Sequence, residues 1–268
     1  MTSTVEAGPG FALPGERQRL ILERLGRDGR VVAAALAREL GTSEDTIRRD
    51  LRELAAAGRC ERVYGGALRL SPASGSFAQR EATAPARKAA LGRRAAALVR
   101  PGQILLIDAG TTNVAVAAAL PERQGLTVAT NAPAVAAALL GREGFEVLLL
   151  GGRLDHRAGG AVGARTVRDL RGLRADLCFV GACAVDVRAG VAAFDAEEAA
   201  LKQAMVEASG GVAVAATSEK LGTAAPYLVA PVSALTDLVV EHDAPAEALN
   251  LLRACCVRVH VAGREGDA

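Results

Sequence analysis

The sequence has no tryptophan, few other aromatic residues and only three histidines. Because aromatic residues make up 3% of the 268 residues, a core must be built mainly from Val, Leu, Ile and Ala, which suits helices packed on a parallel sheet. The five cysteines are odd in number and lack paired spacing, which argues against a disulfide scaffold or a zinc site. We therefore expect no metal and no cofactor.

Long apolar segments are also missing. The sequence has no run of about 18 apolar residues, and its N-terminus lacks a basic stretch followed by an apolar one. These absences predict a cytoplasmic protein with no membrane partner. Residues 1–14 mix Gly, Pro and small residues without a period, and we expect them to form a disordered lead.

The net charge of +2 is small, but it is distributed unevenly. Residues 16–70 contain 12 Arg and 9 Asp plus Glu, whereas residues 71–268 contain 20 basic and 20 acidic residues. The positive excess of the N-terminal segment is all arginine, which suits contacts with phosphates and base edges.

Three amphipathic helices and a hairpin are predicted in the N-terminal segment. Apolar residues recur at helical spacing in residues 16–25, 32–40 and 43–57. Gly41 separates the second helix from the third, and the segment after the third alternates around Gly65 and Gly66 as a hairpin does. A short turn between two helices and a basic hairpin after them are typical of a winged helix-turn-helix, expected here over residues 15–70.

The third predicted helix carries arginines opposite its apolar side. Ile47, Leu51 and Leu54 share one side at about 100° per residue, and Arg49 and Arg52 lie opposite. One interpretation is a solvated face on which these arginines pair with acidic neighbours. The other is a helix that reads DNA in the major groove, with Arg49 on a guanine edge.

The segments ERQRLILERL, ALARELGTSEDTIRRDLREL and RVYGGA resemble the DNA-binding domain of the DeoR family of bacterial transcriptional regulators. The resemblance is nearly continuous from Glu16 to Leu68 and implies double-stranded operator DNA as a partner. It also implies that Asp50 is a buried residue that orients an arginine. The residues that it assigns to the DNA contacts and the wing are Ser43, Thr46, Arg48, Arg49, Arg52, Arg62, Tyr64, Gly65 and Gly66.

The rest of the chain predicts a linker over residues 71–86 and a mostly parallel α/β sheet domain over residues 87–268. Its strands are expected at residues 104–107, 126–129, 146–150, 177–180, 212–216, 237–240 and 257–261. Ligands of open parallel sheets bind beyond the carboxyl ends of the strands. The polar residues at these ends are Asp108, Gly110, Thr111, Thr112, Thr130, Asn131, Gly152, Arg153, Gly181 and Lys220.

The loop Asp108–Thr112 offers backbone N–H groups and two hydroxyls at a helix N-terminus, which is a natural seat for a phosphate. Taken alone the signal is weak, because Gly and Thr also serve as turn and cap residues. This half of the chain also resembles the DeoR family, in its sugar-phosphate sensor domain, which is similar to the ribose-5-phosphate isomerase and CoA-transferase group of folds. The resemblance adds Glu198 and Lys202 to the pocket and implies a phosphorylated sugar as effector. The same two residues also fit an exposed i,i+4 ion pair.

Two departures from the family pattern bear on the effector. Thr217 stands where the family usually has an acidic residue, and Ala192 and Ala193 stand where it usually has threonines. We expect these changes to remove polar groups from the pocket, at roughly 1 kcal/mol or more per hydrogen bond not made.

The expected function is a repressor of a sugar or carbohydrate operon that is controlled by a phosphorylated sugar and is not an enzyme. We expect a homo-oligomer, a dimer or higher, because one helix-turn-helix covers little DNA. One alternative is a sugar-phosphate isomerase-like enzyme with a DNA-binding head. Its acid–base groups would come from Asp108, Asp195, Glu198 and Lys202. The other is an effector-independent DNA-binding protein with a structural second domain.

Overall fold

The computed structural model describes residues 13–71 and 75–263, and the chain divides into two compact units, Met1–Leu70 and Ser71–Ala268. Of the lead expected over residues 1–14, residues 1–12 lie outside the described range, and the first helix begins at Pro14. Within the described residues, no helix is both long enough and apolar enough to cross a membrane.

The first unit combines three helices with a three-stranded sheet. Its elements are α1 Pro14–Asp28, β1 Arg30–Val32, α2 Ala33–Glu39, α3 Glu44–Ala56, β2 Glu61–Val63 and β3 Gly66–Leu68. Strand β3 lies between β1 and β2 and pairs with both in the antiparallel sense. Gly41, in the turn between α2 and α3, has a φ of +60°, which glycine adopts at little cost. The predicted winged helix-turn-helix is confirmed.

The core of this unit is aliphatic and joins all three helices. Its largest buried side chains are Ile21, Leu25, Leu36, Ile47, Leu51 and Leu54. Strand β1 was not predicted, and Val32, expected in the second helix, ends this strand instead with 45% of its surface exposed. A Cβ at Gly66 would lie 1.9 Å from the Val31 carbonyl oxygen, so the close pairing of β3 with β1 requires glycine there.

The second unit is built on a seven-stranded parallel sheet. Its helices are α4 Phe77–Ala82, α5 Pro85–Ala96, α6 Thr111–Ala119, α7 Pro133–Leu139, α8 Ala164–Leu170, α9 Ala196–Glu207 and α10 Ala246–Ala254. Its strands are β4 Ile104–Ile107, β5 Leu126–Thr130, β6 Phe145–Leu149, β7 Arg153–Asp155, β8 Gly160–Val162, β9 Leu177–Phe179, β10 Ala184–Asp186, β11 Gly190–Ala193, β12 Val212–Ala216, β13 Tyr227–Ala230, β14 Asp237–Val240 and β15 Arg258–Val261.

The parallel sheet has the strand order β15-β14-β12-β9-β4-β5-β6, and its seven strands correspond to the seven that were predicted. Successive residues of β4 point into different cores: Leu106 packs in one cluster and Leu105 and Ile107 in the other. Both faces of the sheet are therefore covered, as the aliphatic composition indicated. The predicted mostly parallel α/β architecture is confirmed.

Smaller antiparallel pieces flank this sheet. Strands β7 and β8 form a hairpin, and β10, β11 and β13 form a three-stranded sheet. None of these short strands was predicted, because runs of three or four residues carry little periodic signal.

The linker expected over residues 71–86 is replaced by ordered structure in its described part. Helix α4 occupies its middle, and the Ser76 side chain caps this helix by accepting a hydrogen bond from the Gln79 backbone N–H. The Ser71 backbone N–H donates to the Ala224 carbonyl at 3.1 Å. The small polar residues that indicated a linker serve here partly as a helix cap.

Candidate DNA-binding helix and effector cavity

The N-terminus of α3 is held by two hydroxyl residues. Ser43 Oγ accepts a hydrogen bond from the Thr46 backbone N–H at 3.1 Å and lies 2.8 Å from Thr46 Oγ1. Glu44 and Asp45 in the first turn complement the positive end of the helix dipole. Ser43 and Thr46 therefore stabilise the end of the helix that a recognition helix directs toward the bases.

The arginines of α3 differ in their partners. Arg48 donates to Glu44 at 2.7 Å, so its charge is partly neutralised. Arg49 and Arg52 are exposed, and within the described residues neither makes a hydrogen bond or an ion pair. The interpretation in which these two pair with acidic neighbours is therefore not what the structure shows, and Glu53 instead accepts a hydrogen bond from α1.

Asp50 is buried, with 3% of its surface exposed, and binds Arg17 of α1. Its Oδ1 accepts a hydrogen bond from Arg17 Nη2 at 3.0 Å, and its Oδ2 contacts Arg17 Nε. This hydrogen bonding raises the pKa of Arg17. The prediction that Asp50 orients an arginine is confirmed, and the arginine belongs to a different helix.

The wing exposes its tip. Tyr64, between β2 and β3, is 97% exposed, and Arg62 of β2 is exposed as well. Gly65 has a φ of +81°, which the tight turn requires. Gly66 was also expected to contact DNA, but it is buried beside the Val31 backbone, so its place is in the sheet.

A cavity lies in the second unit, at the carboxyl ends of β4, β9 and β12. The residues that line it are Arg80, Ala109, Gly110, Thr111, Thr112, Asn113, Ala158, Gly181, Ala182, Cys183, Glu198, Lys202, Ala215 and Lys220. Ligands of open parallel sheets bind at this end of the strands. Within the described part of the chain, no group of three or more His, Cys, Asp or Glu side chains is placed to hold a metal ion.

Lys202 of α9 is the centre of a buried ionic cluster behind the cavity. Its Nζ contacts Asp108 Oδ2, lies 3.1 Å from Glu198 Oε1 and donates to the Gly181 carbonyl at 2.7 Å. Burial lowers the pKa of Lys202, but the charges of Asp108 and Glu198 outweigh burial and raise the pKa above its usual value. The alternative of an exposed i,i+4 pair is wrong, because Lys202 is 1% exposed.

The loop after β4 approaches the end of β9 closely. The Gly181 N–H donates to Asp108 Oδ2 at 2.9 Å. A Cβ at Gly181 would lie 2.5 Å from the Ala109 carbonyl oxygen and 2.9 Å from Lys202 Nζ. Asn113 Nδ2 ties the loop further, by donating to the Asp108 carbonyl at 3.0 Å. Glycine at position 181 is therefore required by the close approach of both the Ala109 backbone and the ionic cluster.

Five of the residues expected to bind the effector do not line the cavity: Thr130, Asn131, Gly152, Arg153 and Asp108, the last of which lies behind it in the ionic cluster. The first two are buried and support the neighbouring loops. Thr130 Oγ1 donates to the Ile107 carbonyl at 2.5 Å, and Asn131 Oδ1 accepts from the Ala109 N–H at 3.0 Å. Arg153 is exposed and pairs with an acidic residue of α9, so its charge is already paired.

The three departures from the family pattern also lie outside the lining. Ala192 and Ala193 are buried in β11, and Thr217 is buried next to the turn that carries Lys220. They do not remove polar groups from the wall of this cavity, contrary to the expectation from the sequence.

Lys220 reaches the cavity from the short helical turn Ser218–Lys220. Its Nζ donates to the Ala182 carbonyl at 2.8 Å. Burial lowers the pKa of Lys220, and the positive charges of Arg80 and Lys202 lower it further.

Sequence reasoning missed Arg80, which lies in the segment interpreted as a linker. Its Nη1 donates to the Gly75 carbonyl and its Nη2 to the Arg157 carbonyl, both at 2.7 Å. Among the described residues, the side chains that line the cavity then include one carboxylate and three cations, of which Lys202 is already paired with Asp108 and Glu198. This excess of positive charge suits an anionic ligand.

An arginine-bearing helix exposed on one unit and a cationic cavity at the strand ends of the other define a two-domain DNA-binding regulator. Residues 17–73 match the DeoR-like helix-turn-helix domain, and residues 83–242 match the DeoR C-terminal sensor domain. The chain belongs to the DeoR family of transcriptional regulators.

Two relatives cover nearly the whole chain. The putative aga operon transcriptional repressor of Escherichia coli O157:H7 is 30% identical over 92% of this chain and 94% of that protein. The glycerol-3-phosphate regulon repressor of Escherichia coli K12 is 32% identical over 88% of this chain and 94% of that protein. A ribose 5-phosphate isomerase structure from Methanocaldococcus jannaschii aligns over 51% of this chain and 54% of that chain, at 12% identity and a TM-score of 0.37.

Proposed function

We propose that this regulator is a repressor whose affinity for operator DNA is set by a phosphorylated sugar or polyol bound in the cavity of the second unit. The observation that carries the proposal is the charge of that cavity, which is lined by three cations and one carboxylate. A phosphate group would neutralise the excess. The N-terminus of α6 at Thr111 and Thr112 would add N–H groups and hydroxyls to its binding.

The chemistry around Glu198 supports a polyhydroxylated ligand. One carboxylate oxygen of Glu198 pairs with Lys202, while the side chain still lines the cavity. A carboxylate in that position would accept hydrogen bonds from sugar hydroxyls. The relatives' names, which refer to the aga operon and to glycerol 3-phosphate, support the same class of ligand.

For the DNA side, we propose that Arg49 reads a base edge and that Arg52 contacts a phosphate or a base edge. The exposure of both guanidinium groups and their lack of partners within the described residues support this assignment. Contacts from Ser43, Thr46, Arg48, Arg62 and Tyr64 complete the proposed interface. We also propose that the protein acts in the cytoplasm as a homo-oligomer, because paired helix-turn-helix units raise affinity through effective concentration.

We propose a regulator without catalytic activity. The Lys202 ammonium group donates to Asp108 and to the Gly181 carbonyl and forms an ion pair with Glu198, so this lysine serves the ionic cluster. An isomerase needs a carboxylate base and a cation arranged around the substrate carbons. Sustained turnover of ribose 5-phosphate by the purified protein would reverse this assignment.

The test is operator binding by the full chain to its own upstream DNA at low ionic strength, with and without a panel of phosphorylated sugars and polyols. A ligand at about 100 times its Kd should stabilise the fold by about 2.7 kcal/mol in thermal unfolding and should change operator affinity. The dephosphorylated compounds are the matched controls. Failure to bind any upstream fragment, with or without ligand, would contradict the proposal.

A further inference from the structure

Among the described residues, the guanidinium group of Arg80 is held by hydrogen bonds to backbone carbonyl groups alone. Its guanidinium donates to the carbonyls of Gly75, Arg157 and Ala158, the last at 3.4 Å. Within residues 13–71 and 75–263, it forms no ion pair with a carboxylate. Carbonyl oxygens satisfy the N–H donors but do not neutralise the positive charge, and a partly buried cation without a paired counter-ion is costly. Three acidic residues line a second cavity together with Arg80, and in the described part of the chain none of them forms an ion pair with it: Asp155, Asp195 and Glu198.

The other cations of the cavity show that the surplus lies on Arg80 and Lys220. Lys202 is neutralised by Asp108 and Glu198. Lys220, like Arg80, donates to a backbone carbonyl and forms no ion pair within the described residues. Arg80 and Lys220 line the same cavity, and after burial the charge of Arg80 is one of the causes that lower the pKa of Lys220. One anion bound between Arg80 and Lys220 would compensate the charge of both side chains.

Helix α4 holds Arg80 at the cavity through contacts with two neighbouring elements. Lys88 of α5 is buried, and its Nζ contacts the Arg80 carbonyl and donates to the Thr83 carbonyl at 2.6 Å. On the other side, the Phe77 ring packs on Gly159 so closely that a Cβ there would lie 2.2 Å from the ring. These contacts fix the position of α4, and with it the position of the Arg80 guanidinium group at the cavity. The guanidinium donors also connect α4 to the β7–β8 hairpin.

We propose that Arg80, together with Lys220, binds the phosphate group of the ligand, and that α4 links this contact to the chain segment leading to the DNA-binding unit. A phosphate would compete with the carbonyls of Gly75 and Arg157 for the guanidinium donors and so change how α4 is held. In sequence, α4 is the first helix after the first unit: it begins at Phe77, and the first unit ends at Leu70. The link to DNA binding rests on the proposed function, whereas the anion site does not.

The anion site is tested on the full chain with inorganic phosphate, at an ionic strength kept constant with chloride, by calorimetry and thermal unfolding. We expect Arg80→Met to weaken phosphate binding about tenfold or more, because it removes the fork that matches a phosphate. The matched control is Arg93→Met, which removes the same charge from the exposed face of α5 and should bind phosphate as the parent does. Parent-like phosphate binding by Arg80→Met, or no binding by the parent protein, overturns the proposal.

A second variant separates positioning from folding. Lys88→Met changes no residue that lines the cavity but releases the end of α4, and we expect it to weaken phosphate binding about fivefold. If Arg80→Met fails to fold by circular dichroism, Arg80→Lys, which keeps the charge and loses the fork, takes its place with the same expected direction. Parent-like phosphate binding by a folded Arg80→Lys together with Lys88→Met would overturn the assignment.

The link to DNA is measured as the ratio of operator affinities with and without saturating phosphate. We expect a ratio that differs from one in the parent protein and falls to within about twofold of one in Lys88→Met. A ratio unchanged by Lys88→Met would overturn the role of α4. Absence of any operator binding would instead contradict the proposed function, and the calorimetric result for Arg80 would still decide the anion site.

Discussion

The two units of this protein arrange their functional cations in opposite ways. In the first, Arg49 and Arg52 stand on the outer face of a single helix, without partners in the described part of the chain. In the second, Arg80, Lys202 and Lys220 come from three separate elements and converge on one cavity. A DNA groove is long and open, so an exposed row of side chains can read it, whereas a small anion must be surrounded.

The two units also differ in whether the same residues serve both stability and function. In the first unit different residues have these two roles, and in the second unit some residues have both. In the first unit, the Arg17–Asp50 pair lies on the inner side of α3 and stabilises the fold. The exposed Arg49 and Arg52 on the outer side of α3 do not contribute to it. In the second unit, Lys202 both lines the cavity and neutralises the buried Asp108. Changes to the cavity should therefore affect folding, and changes to the outer face of α3 should not.

The largest effect is expected for Lys202→Met. Removing the lysine leaves the carboxylate of Asp108 buried without its partner, which should lower the free energy of unfolding by about 3 to 5 kcal/mol. Urea denaturation of the full chain measures this. The double variant Asp108→Asn with Lys202→Met should recover part of the lost stability. A loss below about 1 kcal/mol for Lys202→Met alone would contradict the claim that the cavity residues of the second unit also stabilise its fold.

Asp50→Ala should have the next largest effect. It leaves Arg17, which is 12% exposed in its side chain, without its carboxylate, and we expect the free energy of unfolding to fall by about 2 to 3 kcal/mol. The double variant Arg17→Met with Asp50→Ala serves as control, because it removes both charges. If Asp50→Ala unfolds at the same urea concentration as the parent, the inner ion pair does not support α3.

Arg49→Ala should leave folding unchanged to within about 0.5 kcal/mol and lower discrimination for the operator by about 1 to 3 kcal/mol. Binding is compared on operator and scrambled DNA at the same salt concentration. Equal weakening on both DNAs would assign Arg49 to a phosphate contact. Loss of stability instead of affinity would show that the outer face of α3 is structural.

The smallest effect concerns a charge cluster at the opposite end of the sheet from the cavity. Burial by itself raises the pKa of Asp237, but hydrogen bonds from Arg258, His260 and Thr236 lower it to about 2. His260 is contacted in turn by Arg94, at 3.0 Å. Because the pKa of Asp237 is lower in the folded protein, its contribution is present above the unfolded pKa of about 3.9 and is lost as pH falls toward 2.

This contribution should be on the order of 1 to 2 kcal/mol. The measurement is the free energy of unfolding from about pH 5 down to about pH 2, with Asp237→Asn as the control that lacks the titrating carboxylate. A parent protein and a control with identical pH dependence would show that the cluster contributes no pH-dependent stability.

The sequence by itself determined the features that depend on local periodicity. The side of α3 that carries Ile47 and Leu51 and the opposite side that carries Arg49 follow from a repeat of about 3.6 residues. The strands of the parallel sheet could be predicted because each is a short apolar run between helical segments. Of the polar residues predicted at strand ends, Asp108 and Gly181 are in contact, and Gly181 and Lys220 line the same cavity.

Only the tertiary structure decided which side chains meet. Asp108 and Lys202 are 94 residues apart, and Asp50 and Arg17 are 33 apart, so no local pattern couples them. In the structure, Thr130 and Asn131 do not line the cavity, whereas Arg80 does, although it lies in a segment whose composition indicated a linker. The physical reason is that periodicity reports which face of an element is buried, whereas the composition of a cavity depends on how distant elements pack.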